Sequence, residues 1–85
     1  MANIRYSLAL SEEARDQLRA LPKEWRQRIG ARLNELQNDL AGDVKKLAAA
    51  EKKYRLRVGN YRILFCQEGN QISVYAVKDR KDAYE

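Results

Sequence analysis

The chain contains no histidine. That removes the imidazole pair with which a metal-free ribonuclease usually moves protons, and it removes the commonest metal ligand. Cysteine occurs once, at Cys66, so no intrachain disulfide forms and no Cys–His nucleophile can be assembled. Cys66 ends the apolar run Ile63-Leu64-Phe65-Cys66 and reads as a small core hydrophobe. A lone thiol fits a reducing, cytoplasmic setting. No apolar stretch approaches the roughly 18 residues of a membrane span. Met1-Ala2-Asn3-Ile4-Arg5 lacks the apolar centre of a signal peptide, so no membrane partner is expected. There is no glycine-rich phosphate loop with its lysine. The acidic residues are too scattered for a metal site. Glu35 and Asp39 share one helical face, Asp79 and Asp82 lie near the end, and both pairs read as solvated surface. No metal or other cofactor is expected. With one proline, four glycines and no linker or repeat, residues 1–85 are expected to form one small domain.

What the chain has in excess is positive charge, unevenly placed. The net charge is +5. Residues 1–44 hold seven Lys or Arg against seven Asp or Glu, and residues 45–85 hold ten against five. The second half therefore carries the whole excess, as a polyanion-binding or acid-binding surface would.

Periodicity organises the chain into an α+β order. Ile4, Tyr6 and Leu8 alternate with polar or small residues and predict a strand near 3–9. Ser11 is a helix N-cap, followed by Glu12 and Glu13 in the first turn. Ala14, Leu18 and Leu21 share a face of that helix. Pro22 ends it and starts the next. Trp25, Ile29, Leu33, Leu36 and Leu40 then predict an amphipathic helix running to about Gly42. Residues 44–53 read as a basic connector, in which the alanines at 48–50 extend a short helical turn. Three strands follow near 54–58, 61–67 and 71–77, joined by Gly59-Asn60 and Glu68-Gly69-Asn70. The predicted architecture is βααβββ, a helical hairpin packed on a small antiparallel sheet. Tyr54, Leu56, Val58, Ile63 and Phe65 form its buried face. Trp25, Tyr6 and Tyr61 read as core or interface residues.

The hairpin also makes a chemical statement. Arg55 and Arg57 alternate onto one face. A tight Gly59-Asn60 turn sets Val58 opposite Tyr61 and Arg57 opposite Arg62. Like charges directly opposite each other destabilise a sheet, so the pairing serves a ligand rather than the fold. Guanidinium forks suit phosphate oxygens. Arg80 and Tyr84 add a fourth cation and a phenol close by in sequence. Arginine, lysine and tyrosine suffice for attack of an RNA 2′-hydroxyl on its own phosphate. Clustered guanidiniums stabilise the phosphorane and orient the phosphate, while nearby cations favour ionisation of a phenol or amine that takes the proton. Lys45, Lys46, Lys52, Lys53, Lys78 and Lys81 are candidate RNA-binding residues that position without reading sequence.

Three stretches carry a family resemblance: Lys45-Lys46-Leu47; Tyr54-Arg55-Leu56-Arg57-Val58-Gly59-Asn60-Tyr61-Arg62-Ile63-Leu64-Phe65; and Val77-Lys78-Asp79-Arg80-Lys81-Asp82-Ala83-Tyr84. They resemble the RelE/ParE superfamily of bacterial toxins, whose element order agrees over almost the whole chain. The resemblance implies the toxin of a type II toxin–antitoxin system. On the RelE side it implies a ribosome-dependent endoribonuclease that cuts mRNA in the A site without a metal. On the ParE side it implies a DNA gyrase inhibitor without nuclease activity. It implies ribosome and mRNA as partners, and a cognate antitoxin through which the complex binds operator DNA. Carried over, Arg55 and Arg57 are the basic pair of the second strand. Arg62 holds the scissile phosphate, Arg80 contacts phosphate or leaving group, and Tyr84 stacks on a base or assists proton transfer. The best-known RelE proteins have two lysines at the basic pair, and many relatives have histidine where Asp79 stands. Guanidiniums are poor bases, so either the proton falls to Tyr84 or to one of Lys52, Lys53 and Lys78, or the rate rests mainly on electrostatics.

Overall fold

A computed structural model of the chain describes residues 5–38, 40, 42–48 and 52–79. Two helices cover one face of a five-stranded mixed sheet. The elements in chain order are β1 (Ser7–Leu10), α1 (Glu12–Arg19), α2 (Lys23–Leu36), β2 (Val44–Ala48), β3 (Lys53–Val58), β4 (Tyr61–Glu68) and β5 (Gln71–Asp79). Across the sheet the order is β1-β5-β4-β3-β2. β1 runs parallel to β5, and every other pairing is antiparallel.

Local chemistry sets most boundaries. The Ser11 side chain accepts a hydrogen bond from the Ala14 N–H at 3.0 Å and starts α1. Pro22 stands at the N-cap of α2, where its missing N–H costs nothing. Gly59 and Gly69 have φ of +59° and +54° at the two hairpin turns, a region open to glycine. Ile29, Leu33 and Leu36 of α2 meet Leu56, Ile63, Phe65, Ile72 and Val74 of the sheet in one buried cluster. Each such side chain contributes about 1.5–3 kcal/mol by leaving water.

Four expectations are revised. The first strand lies further along, at Ser7–Leu10, and Arg5 only bridges to Asn38. Tyr6 turns its backbone away from the sheet, its N–H donating to the Gln37 carbonyl at 2.8 Å and its carbonyl accepting from Gln37 Nε2 at 2.9 Å. That claim on Gln37 coincides with the early end of α2 at Leu36. Leu40 still packs against the core, but from a backbone at φ +57° rather than from a helix. Residues 44–48 are strand β2, not connector: Val44 pairs with Leu56 and Lys45 with Arg55. Ala48 ends that strand, while Ala49 and Ala50 lie outside the described residues. Lysines are usual on such an edge strand, where they discourage further pairing. Finally, β1 makes the sheet mixed, although the β3–β4–β5 meander is antiparallel as expected.

Candidate active site

The site face is the side of the sheet away from the helices. Leu56, Val58, Ile63 and Phe65 turn inward and are buried, and Tyr54 is half-buried. Their neighbours point the other way. The register pairs Arg57 with Arg62 and Val58 with Tyr61, as the tight turn requires. It then pairs Arg62 with Lys78 on β5. Three cations thus stand abreast on three adjacent strands, with Cβ atoms about 5 Å apart across each pair. One pair further along, Lys45 is opposite Arg55, which is opposite Leu64 and then Ala76. Lys45, Arg55, Arg57, Arg62 and Lys78 therefore share one end of one face.

Exposure differs sharply within this group. Arg57 is exposed and Arg55 half-buried, whereas Arg62 is only 7% exposed. Arg62 is the single buried charged residue among the described residues, and it does not lack an interaction partner. A buried guanidinium has few rotamers left, so its fork is held before any ligand arrives.

The remaining candidates divide. Lys53 lies on the site face, opposite Cys66, with Nζ 5.8 Å from the Tyr75 ring centroid. Lys46 projects to the other face, opposite Tyr54, with Nζ 5.8 Å from that ring. It is thereby separated from Lys45. Lys52 is exposed at φ +54° just before β3. Arg80, Lys81 and Tyr84 lie outside the described residues, as do Asp39 and Asp82. Glu35 is a surface residue that binds Arg32 at 2.9 Å. Trp25 and Tyr61 are half-buried and meet edge to face at 5.1 Å, and Tyr6 is buried. Sequence reasoning had Lys78 as a phosphate contact but not as the third member of the cation row. The bulge in β5 hides that register: Leu64 pairs with Ala76 and Phe65 with Val74, leaving Tyr75 as the extra residue.

The face is strongly cationic. Residues 8–84 match the family described as the ParE toxin of the type II toxin–antitoxin system parDE. The chain belongs to the RelE/ParE superfamily of type II toxins. Among RelE/ParE proteins, Toxin RelE3 of Methanocaldococcus jannaschii is 38% identical, over 80% of this chain and 83% of that protein. The crystal structure of the RelB–RelE antitoxin–toxin complex from Methanococcus jannaschii matches at TM-score 0.75 and 31% identity, covering 89% of this chain and 94% of that one. The archaeal RelE–RelB complex from Pyrococcus horikoshii matches at TM-score 0.78 and 24% identity, over 93% and 99% of the two chains, and supports the fold alone. The RelE/ParE α+β fold, with two helices on a five-stranded mixed sheet, is thus shared. No helix among the described residues is long and apolar enough to cross a membrane.

Proposed function

We propose that the protein, acting through residues 1–85 as one toxin domain, is a ribosome-dependent endoribonuclease that cuts mRNA in the A site. The observation that carries this reading is the row Arg57–Arg62–Lys78. A sheet is weakened by like charges side by side, and a scissile phosphate turns that cost into transition-state stabilisation. The RNA 2′-oxygen attacks its adjacent phosphorus while the bond to the 5′-oxygen breaks. The products are a 2′,3′-cyclic phosphate and a 5′-hydroxyl, and the reaction needs no metal. Arg62, buried and fixed, holds the phosphate. Arg55 and Arg57 neutralise the phosphorane. The 2′-hydroxyl proton goes to Tyr84 or to one of Lys52, Lys53 and Lys78. The register favours Lys78, directly opposite Arg62. Arg80 stabilises the charge on the leaving 5′-oxygen, which takes its proton from water. Lys45, Lys53 and Lys81 steer RNA, whereas Lys46 would have to act from the other face.

RelE proteins have been solved with RelB antitoxins. By likeness, a cognate antitoxin neutralises this chain, and the complex binds operator DNA through it. An antitoxin segment rich in acid would suit the basic half. A second reading, inhibition of DNA gyrase without nuclease activity, is favoured by the ParE family match.

The exposed Arg57 provides the first test. Arg57→Ala is expected to lower message cutting in a translating extract by about 10²–10³-fold, as loss of one preorganised oxyanion donor does. Antitoxin binding, measured in parallel, should persist. Undiminished growth arrest by the variant, together with loss of gyrase supercoiling, would instead favour the second reading.

A further inference from the structure

Arg57 borders more than the cation row. Where α2 passes the β3–β4 turn there is a cleft of about 370 Å³, lined by Trp25, Arg28, Arg32, Arg57 and Gly59 among others. Every charged residue lining it, among the described residues, is an arginine. Trp25, Arg28 and Arg32 follow at spacings of three and four, so one stripe of α2 presents them together. The Arg28 guanidinium lies 5.0 Å from the Trp25 ring centroid. Arg28 and Arg32 are more than half exposed, and each is tethered to a carboxylate, Arg28 to Glu24 at 3.3 Å and Arg32 to Glu35 at 2.9 Å. Exposed pairs of this kind are worth about 0–1 kcal/mol, so an anionic ligand that engages both arginines can displace them.

We propose that this cleft is a second nucleotide subsite on the RNA path. Arg28 and Arg32 hold a phosphate neighbouring the scissile one, and the Trp25–Arg28 surface takes a base. The inference rests on the nuclease reading. Single-stranded RNA repeats an anion and an aromatic face in every unit, and this cleft offers cations and an indole together. It is also continuous with the cation row, because Arg57 belongs to both. An acidic peptide would match the arginines but leave the indole surface unused. A volume of this size stands at the low end of the roughly 300–1,000 Å³ of small-molecule sites, which suits a single nucleotide.

Trp25 is the only tryptophan in the chain, so its fluorescence reports on the cleft directly. The full chain would be titrated with a four-nucleotide RNA bearing 2′-O-methyl groups, which cannot be cut, and separately with hexaglutamate. RNA is expected to quench Trp25, and hexaglutamate is not. Arg32→Gln should weaken RNA binding about three- to tenfold. It should also flatten the plot of log affinity against log salt by about 0.7, the value of one phosphate on a single strand. Arg28→Gln/Arg32→Gln should weaken binding further, with melting curves confirming the fold. Quenching by hexaglutamate but not RNA would overturn the proposal in favour of an acidic protein partner. So would the absence of any response to RNA, or equal affinity of the variants and the parent. Message cutting, followed on the same proteins, separates the two claims. Normal cutting with unaltered RNA binding in the variants removes the subsite and keeps the nuclease. Quenching by RNA in a parent that never cuts keeps the RNA site and removes the nuclease.

Discussion

At the scale of single residues, the hairpin sets function against stability. Arg57, Arg62 and Lys78 repel one another across β3, β4 and β5. Like charges directly opposite are unfavourable, and an opposed pair is worth about 0.2–1 kcal/mol. Replacing the exposed Arg57 by Gln should therefore stabilise the protein by a few tenths up to about 1 kcal/mol while lowering its affinity for RNA. Urea melts at low and high salt check this, because screening should raise the stability of the parent more than that of the variant. Gly59 faces the opposite constraint. A Cβ built there would collide with the Trp25 ring, at φ +59°. Gly59→Ala is expected to cost about 2–4 kcal/mol from strain and overpacking together. Thermal melts should then fall by about 10 °C or more. The Gly59-Asn60 turn and the Arg57–Arg62 pairing were readable because a two-residue turn fixes register. The burial of Arg62 was not, because alternation assigns a side chain to a face and says nothing about what covers that face.

At the scale of elements, α1 completes the sheet. β1 pairs with β5 only as far as Val74, which leaves the rest of that β5 edge to α1. The Ser11 N–H donates to the Val74 carbonyl at 2.9 Å, and the Ser11 hydroxyl donates to the Tyr75 carbonyl at 3.4 Å. Further along, the Val77 N–H donates to Gln17 Oε1 at 2.6 Å. Val77 is buried, so removing its acceptor leaves a costly orphan. Gln17→Leu is expected to destabilise by about 1–3 kcal/mol in denaturant melts, whereas Gln17→Glu, which keeps an acceptor, should lose much less. The N-cap at Ser11 was plain in the sequence, but the bond from Val77 to Gln17 was not, since a glutamine mid-helix carries no positional signal. The length of α2 was overestimated for a similar reason. Leu40 continues the helical period, yet it reaches the core from a left-handed backbone, while Gln37 serves Tyr6. β2 escaped notice because an edge strand carrying Lys45 and Lys46 shows no apolar alternation; those lysines point to opposite faces, one opposite Arg55 and one opposite Tyr54.

At the scale of the whole molecule, the charge split along the chain becomes a division of labour in space. The neutral first half supplies β1 and both helices, and the basic second half supplies β3 to β5 and all of β2 but Val44. Arg55, Arg57, Arg62 and Lys78 face away from the helices, so the core and the cationic face sit on opposite sides of one sheet. This arrangement was largely readable from alternation in the hairpin, and membership of the RelE/ParE superfamily agrees with it. Arg80 and Tyr84, outside the described residues, rest on the family likeness alone. The proposed nuclease activity of this face is open to direct measurement. The direct measurement adds purified toxin to a reconstituted translation reaction and maps message ends by primer extension, beside a naked-RNA lane and an Arg57→Ala lane. Cuts are expected within codons of the translated message, absent from naked RNA and strongly reduced in the variant. Intact message in every lane, from a protein that arrests growth, would contradict it.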